Sequence, residues 1–159
     1  AQASPVARIR SEDGSWERIS ASQDGYRRLG VTHTRQVTAY QDGHWLVEDM
    51  LEGSTRRVHT ACLHWQLPDL PWQAEFNPQH LRLKLTTPAG GVVLIVRTTQ
   101  PLQPLLVRAG ELLSGQGSVH PTWGWTSPTY GDKIPALALR VQFQGTMPMQ
   151  ITTEWIMQI

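Results

Sequence analysis

Cysteine is nearly missing from this chain: Cys62 is the only one among 159 residues, so no internal disulfide framework can staple the fold. That absence leaves the compartment open, because many exported proteins carry no disulfides. Lysine is almost as scarce, with Lys84 and Lys133 the only two and arginine supplying the other basic side chains. Arginine forks suit carboxylate and sulfate groups, and they suit surface ion pairs equally well. Charged residues make up 17% of the chain and the net charge is +1, which argues against a nucleic-acid protein with a concentrated basic face. No apolar run approaches the roughly 18 residues of a membrane span. No basic-then-apolar leader opens the chain, so an export signal is expected only outside these residues or as a removed segment. Long Ala-, Glu- and Lys-rich runs with a 3.6-residue period are missing too, and with them the signature of an α-helical domain.

The residues that are plentiful favour strands. Thr, Val, Ile and Trp are common, and Gly-containing turn signals recur at Asp13-Gly14, Asp24-Gly25, Asp42-Gly43, Gly53-Ser54, Ala89-Gly90-Gly91 and Gly115-Gln116-Gly117. Between them apolar and polar residues alternate. Leu81, Leu83 and Leu85 oppose His80, Arg82 and Lys84, while Leu137, Leu139, Val141 and Phe143 oppose Ala138, Arg140 and Gln142. Met149, Ile151, Thr153, Trp155 and Met157 share another face. This predicts about ten strands, near 6–10, 16–21, 32–40, 44–51, 56–67, 80–86, 92–98, 104–109, 136–144 and 149–158. Ten strands on short turns make an all-β, antiparallel, two-sheet β-sandwich of jelly-roll-like form, one domain over 1–159. The proline-rich residues 68–78 read as an ordered surface loop, and "RAGELLSG" as at most one helical turn.

Two local expectations follow. A two-residue type I′ turn at Asp42-Gly43 would set Tyr40 opposite Trp45, Thr38 opposite Val47 and Gln36 opposite Asp49. Asp49 follows an apolar strand and is expected to be partly buried, with an arginine or several backbone donors in reach, since a lone buried charge is costly.

Catalytic signatures are sparse. No serine sits in a Gly-x-Ser-x-Gly elbow, and there is no Gly-rich phosphate loop. Glu48 and Asp49 are adjacent in a strand, so they point to opposite faces and cannot share one substrate. His59, Cys62 and His64 invite a metal reading, but Cys62 and His64 share one strand face and His59 the other, whereas zinc needs three or four converging ligands. His80 or His120 could complete such a site, and nothing in the sequence says that they do. Cys62, in mid-strand, reads as inert packing.

Aromatics remain. Of seven tryptophans, Trp65 and Trp155 fall on apolar strand faces and read as core, while Trp72, Trp123 and Trp125 fall in loops. Residues 123–135, "WGWTSPTYGDKIP", pack two tryptophans, Tyr130 and two prolines into one connector. There Trp125 is expected to be largely buried, Tyr130 to be hydrogen-bonded through its hydroxyl, and Trp123 to be the more exposed tryptophan. An extended backbone would set both rings on one side.

Three stretches together resemble the heparinase II/III-like family. "DGYRRLGVTHTRQVTAYQDGHWLVEDMLEG" is similar to a family segment in which Gly-Tyr leads to a His-x-Arg strand and a hairpin returns through Trp-x-Val-x-Asp to a Gly turn. The matching positions are Gly25, Tyr26, His33, Arg35, Trp45, Val47, Asp49 and Gly53. "VHTACLHWQLPD" resembles the next strand, which ends in a corner from His64 to Pro68. "GWTSPTYGDKIPALALRVQFQGTMPMQITT" is similar to the closing pair, with Gly124, Trp125, Ser127, Tyr130, Gly131 and Pro135 in place. The resemblance runs from about residue 20 to the end. It implies a β-sandwich that follows an α/α-toroid catalytic domain in enzymes that cleave acidic polysaccharides by β-elimination at a uronic acid.

The toroid has no counterpart in these residues, so no catalytic residue, metal ligand or cofactor is carried over. The resemblance implies a non-catalytic β-sandwich module that supports the catalytic domain, with an acidic polysaccharide as partner, no nucleic acid and no membrane span. A periplasmic or secreted location goes with it. The residues expected to contact carbohydrate are Trp123, Trp125, Tyr130, Arg27, Arg28, His33 and Arg35. A free-standing carbohydrate-binding module that stacks sugars on Trp123, Trp125 and Tyr130 is the alternative, and a small metal-dependent β-barrel enzyme using the histidines is a third reading.

Overall fold

The computed structural model describes residues 3–54 and 56–158. Along them run β1 (Ala3–Arg10), β2 (Trp16–Gln23), a 3-10 turn (Arg27–Leu29), β3 (Val31–Tyr40), β4 (His44–Gly53), β5 (His59–Leu67), β6 (Trp72–Phe76) and β7 (His80–Thr87). They continue with β8 (Gly90–Thr98), β9 (Gln103–Arg108), β10 (Glu111–Gly115), β11 (Trp125–Thr126), β12 (Ile134–Pro135), β13 (Leu137–Gly145) and β14 (Met149–Gln158). Eight strands form one antiparallel sheet in the order β1-β2-β3-β4-β14-β8-β7-β6, and four form a second in the order β10-β9-β13-β5. The short β11–β12 ribbon stands apart. The class is all-β, as the alternation predicts, and the two larger sheets stack as a sandwich.

The core lies where the alternating leucines meet. Leu81, Leu83 and Leu85 of β7 and Leu94 and Val96 of β8 face Leu63 and Leu67 of β5, Leu106 of β9, and Leu137, Leu139, Val141 and Phe143 of β13. Each such side chain contributes about 1.5–3 kcal/mol by leaving water. The polar partners of these residues point outward because strand side chains alternate. The small sheet spans only half of the large one. Inward residues near β1, β2 and β3 lie beyond it: Ile19 is 51% exposed, and Trp45 at the start of β4 is 45% exposed.

Three local expectations are corrected. Within residues 68–78, β6 pairs with β7 as the edge of the large sheet, from Trp72↔Leu85 to Phe76↔Leu81. The flanking prolines lie outside the strand, and at an edge a missing N–H costs little. "RAGELLSG" forms the β9–β10 hairpin, with Arg108 opposite Glu111 and both turn residues at positive φ (Ala109 51°, Gly110 82°). At Asp42-Gly43 only Gly43 has positive φ, 82°, so the type I′ turn does not form. The loop takes one more residue: the Gly43 N–H donates to the Tyr40 carbonyl and the His44 N–H to Asp42 Oδ1. The pairing therefore shifts by one, setting Ala39 opposite Trp45, Val37 opposite Val47 and Arg35 opposite Asp49. Tyr40 stacks on His44, with ring centroids 4.9 Å apart, rather than on Trp45.

Candidate functional site

The register of β3 on β4 builds the most polar feature of the inner face. His33 and Arg35, two apart on β3, point the same way, and the shifted pairing brings Asp49 across from Arg35. Arg35 donates from Nε to Asp49 Oδ1 at 2.7 Å and from Nη2 to Oδ2 at 2.9 Å, a bidentate fork. His33 Nε2 lies 2.6 Å from the same Oδ1. Asp49 is only 4% exposed, yet its charge is satisfied. Burial alone would raise its carboxyl, but the hydrogen bonds from His33 and Arg35 outweigh burial and hold it below the usual carboxylate range. The expectation of a buried Asp49 held by an arginine is met, and the histidine adds to it.

The neighbouring strand fixes the histidine's proton. Gln23 Oε1 accepts the Gly25 N–H at 3.0 Å, which turns Gln23 Nε2 toward His33 Nδ1 at 3.3 Å. An amide NH2 can only donate, so Nδ1 accepts and the proton of a neutral ring sits on Nε2, facing Asp49. Both ring nitrogens are committed. This arrangement can position charge and shape, with Gln23 already donating to the one ring nitrogen that can accept.

A cleft of about 320 Å³ opens over the triad, lined also by Tyr26, His59, Leu51 and Met147. Arg27 and Arg28 follow Tyr26 in the exposed turn beside it, with Arg27 near Asp24 at 3.9 Å. Arg35 lies over the Trp65 ring, its guanidinium carbon 5.3 Å from the centroid. Beyond Arg35 a second hollow of about 420 Å³ is almost wholly apolar, lined by Val37, Trp45, Val47, Trp65, Trp155 and Met157. Trp65 and Trp155 meet edge to face at 5.3 Å and are half-buried.

The aromatic connector lies apart, over the outer face of the small sheet. There Trp123 packs with Val119 on Leu105, Val107 and Ala138. Arg140 covers the Trp123 ring at 4.8 Å and Lys133 covers the Trp125 ring at 4.1 Å. Gly124 between them has φ 73°, so the backbone is not extended and the parity argument fails there. Trp125 is half-buried rather than largely buried, donating from Nε1 to the Pro121 carbonyl at 3.1 Å. Trp123 is half-buried as well. Tyr130 is fully exposed, and its hydroxyl meets no partner among the described residues. The prolines bracket a turn that carries the tyrosine away from the sheet.

On β5, His59 points inward to the cleft while Cys62 and His64 point outward toward Arg140, as strand parity predicts. Cys62 is exposed rather than packed; partial desolvation raises its thiol against the pull of Arg140, and desolvation lowers the His64 imidazole with help from Arg140. Among the described residues no three His, Cys, Asp or Glu side chains converge as metal ligands. Glu48 points outward, 3.9 Å from Arg18, and shares nothing with Asp49. Of the sequence-predicted site residues, His33 and Arg35 come together, Arg27 and Arg28 sit near their cleft, and Trp123, Trp125 and Tyr130 lie on another face. Gln23 was missed, and His59, weighed from the sequence only as a metal ligand, faces this cleft. The His-x-Arg spacing was visible, but their placement needs the strand register.

The family described as "Heparinase II/III-like, C-terminal" matches residues 1–154. Among curated proteins none matches significantly. Among solved structures, heparan sulfate lyase HepC from Pedobacter heparinus is similar with a TM-score of 0.71 and 12% identity, over 99% of this chain and 22% of that one. A crystal structure of heparinase III is similar with a TM-score of 0.73 and 8% identity, over 98% of this chain and 21% of that one. This chain thus spans about a fifth of the length of those enzymes, and at such identity the likeness is one of fold.

Proposed function

Because the chain belongs to the heparinase II/III-like C-terminal family, we propose that it is a non-catalytic β-sandwich module of a polysaccharide lyase. The lyase cleaves acidic glycans by β-elimination at a uronic acid, and the module supports its catalytic domain. The observation that carries the non-catalytic part is the closed His33–Asp49–Arg35 network. β-Elimination needs a base free to take a proton, an acid for the leaving oxygen and a neutraliser for the uronate carboxylate. Here His33 has both nitrogens engaged and Asp49 has both oxygens engaged. The comparisons support the lyase setting, since both named structures are lyases or heparinases.

On this reading the glycan is met at the mouth of the polar cleft, where Arg27, Arg28 and the exposed part of Arg35 present guanidinium groups that suit carboxylate and sulfate. Contact there is weak and falls as salt screens the exposed charges. A periplasmic or secreted location accompanies such a substrate. The alternative, a free-standing binding module that stacks sugar on Trp123, Trp125 and Tyr130, rests on the full exposure of Tyr130. It is the weaker reading, because Trp123 is packed on the sheet under Arg140.

Affinity electrophoresis through gels containing heparan sulfate or alginate separates the two. The expected result is slight, salt-sensitive retardation that is reduced by the double variant Arg27→Ala/Arg28→Ala. Retardation that resists salt and vanishes with Tyr130→Ala or Trp125→Ala would favour the stacking module.

A further inference from the structure

The outward face of the small sheet is laid out in rows by the strand register. His64 of β5, Arg140 of β13 and Leu105 of β9 form one row, and Cys62, Gln142 and Gln103 form the next. None of the outward residues of these three strands is acidic, and Arg140 is the one among them that is always charged. A solvated protein surface commonly mixes charges of both signs. This face instead offers amides, an imidazole and one guanidinium.

Arg140 is held in place without being neutralised. Arg18, Arg35, Arg97 and Arg108 each meet a carboxylate, whereas none meets Arg140 among the described residues. Its guanidinium lies on the Trp123 ring, which leaves N–H donors at its edge for a ligand. Trp123 is anchored in turn. The Gly110 N–H donates to the Trp123 carbonyl at 2.8 Å, and the Gly124 carbonyl accepts from Ala109 and Ala136 at 2.8 and 2.9 Å. Gln66 Nε2 donates to the Trp125 carbonyl at 2.9 Å. The aromatic connector is thus a fixed wall along one side of the face. It carries a second cation with no carboxylate partner among the described residues, Lys133 over Trp125. Groups fixed before a ligand arrives spare it the entropy of ordering them.

We propose that this face is a second glycan site that takes an unsulfated polyuronate chain, with Arg140 on a carboxylate and His64, Gln103 and Gln142 on hydroxyls. Charge complementarity selects the occupant. One guanidinium among neutral hydrogen-bonding groups matches a sugar with one carboxylate and several hydroxyls, whereas a sulfated chain adds anions that call for clustered cations. The His64 imidazole, held low by desolvation and by Arg140, is neutral at pH 7 and both donates and accepts. Trp123 serves by orienting Arg140 rather than by stacking on sugar, so the site differs from the stacking module weighed above. The proposal rests on the acidic-glycan part of the lyase reading, but it lies on the other side of the small sheet from the polar cleft.

Titration of the 159-residue chain with alginate oligomers, followed by nitrogen–proton NMR, reads the Trp123 indole N–H and the Arg140 Nε–H. Both signals should shift saturably. Arg140→Gln should weaken binding by at least about fivefold, the size of one charge-assisted hydrogen bond partly screened by water. Lys133→Gln should weaken it less, and Arg27→Ala/Arg28→Ala should leave it unchanged. Gln103→Ala/Gln142→Ala, which keeps Trp123 covered, should also weaken binding and keeps the test decisive if Arg140→Gln disturbs the ring. Heparan sulfate oligomers that bind as tightly as alginate would overturn the proposal, as would a neutral glucan that shifts the same signals equally. So would shifts confined to Tyr26, Arg27 and Arg28 at the cleft. Release of unsaturated uronate by the full-length polypeptide tests the lyase reading separately. Binding at Arg140 without such release refutes that reading alone, and release without binding at Arg140 refutes this site alone.

Discussion

Replacing Arg35 with methionine removes the fork from a carboxylate that is 4% exposed. Asp49 then keeps only the His33 contact, and an uncompensated buried charge costs about 3–5 kcal/mol. The Arg35 side chain is itself 39% exposed, so water already screens part of the pair and the loss should fall near the lower end, about 3 kcal/mol. Asp49→Asn should cost less, about 1–2 kcal/mol, because the orphaned guanidinium can turn to water. Acidity then separates the cases further. In the native protein the Asp49 carboxyl lies below its ordinary range, so its stabilisation is complete above the unfolded-state pKa and fades as pH falls through the folded one. Without Arg35 the carboxyl loses one of the two partners that hold it down, so it sits higher than in the native protein and the variant loses less as protons become available. The stability gap between native protein and Arg35→Met should therefore narrow as pH falls from about 7 to about 3. Urea unfolding followed by far-ultraviolet circular dichroism at both pH values measures it. Equal losses for Arg35→Met and Asp49→Asn, or a gap that widens on acidification, would refute the assignment of Asp49 as the buried charge the network exists to satisfy.

Two further outcomes test other parts of the structure. Gly124→Ala should destabilise by about 1–3 kcal/mol, seen as a lower urea midpoint, because φ is 73° there and an added Cβ would meet Ala109 N at 2.7 Å. Tyr130→Ala should leave thermal stability within about 0.5 kcal/mol by calorimetry, since that ring is fully exposed.

The sheet architecture was legible because burial on one face imposes a period of two, and Leu81, Leu83, Leu85 and the Leu137–Phe143 series keep that period without interruption. The edge strand β6 was hidden by prolines that lie just outside it. The triad was half legible: His33 and Arg35 share parity, and Asp49 called for a cation. Its assembly depends on one residue of register, set by whether Asp42 joins Gly43 at positive φ, and the dipeptide alone does not decide that. The aromatic connector was misread for a related reason. Gly124 reverses the chain between Trp123 and Trp125, so strand parity has no hold over their rings. The exposure of Trp45 is not encoded by any local pattern, since it depends on how far the second sheet reaches.

The most direct check of the non-catalytic reading is the ultraviolet absorbance of the unsaturated uronate that β-elimination leaves. This 159-residue chain, incubated alone with heparan sulfate, heparin or alginate, should produce no increase over time. A steady increase that is lost with His33→Ala or Arg35→Met, in variants shown to remain folded, would place a catalytic centre within this sandwich and contradict the account.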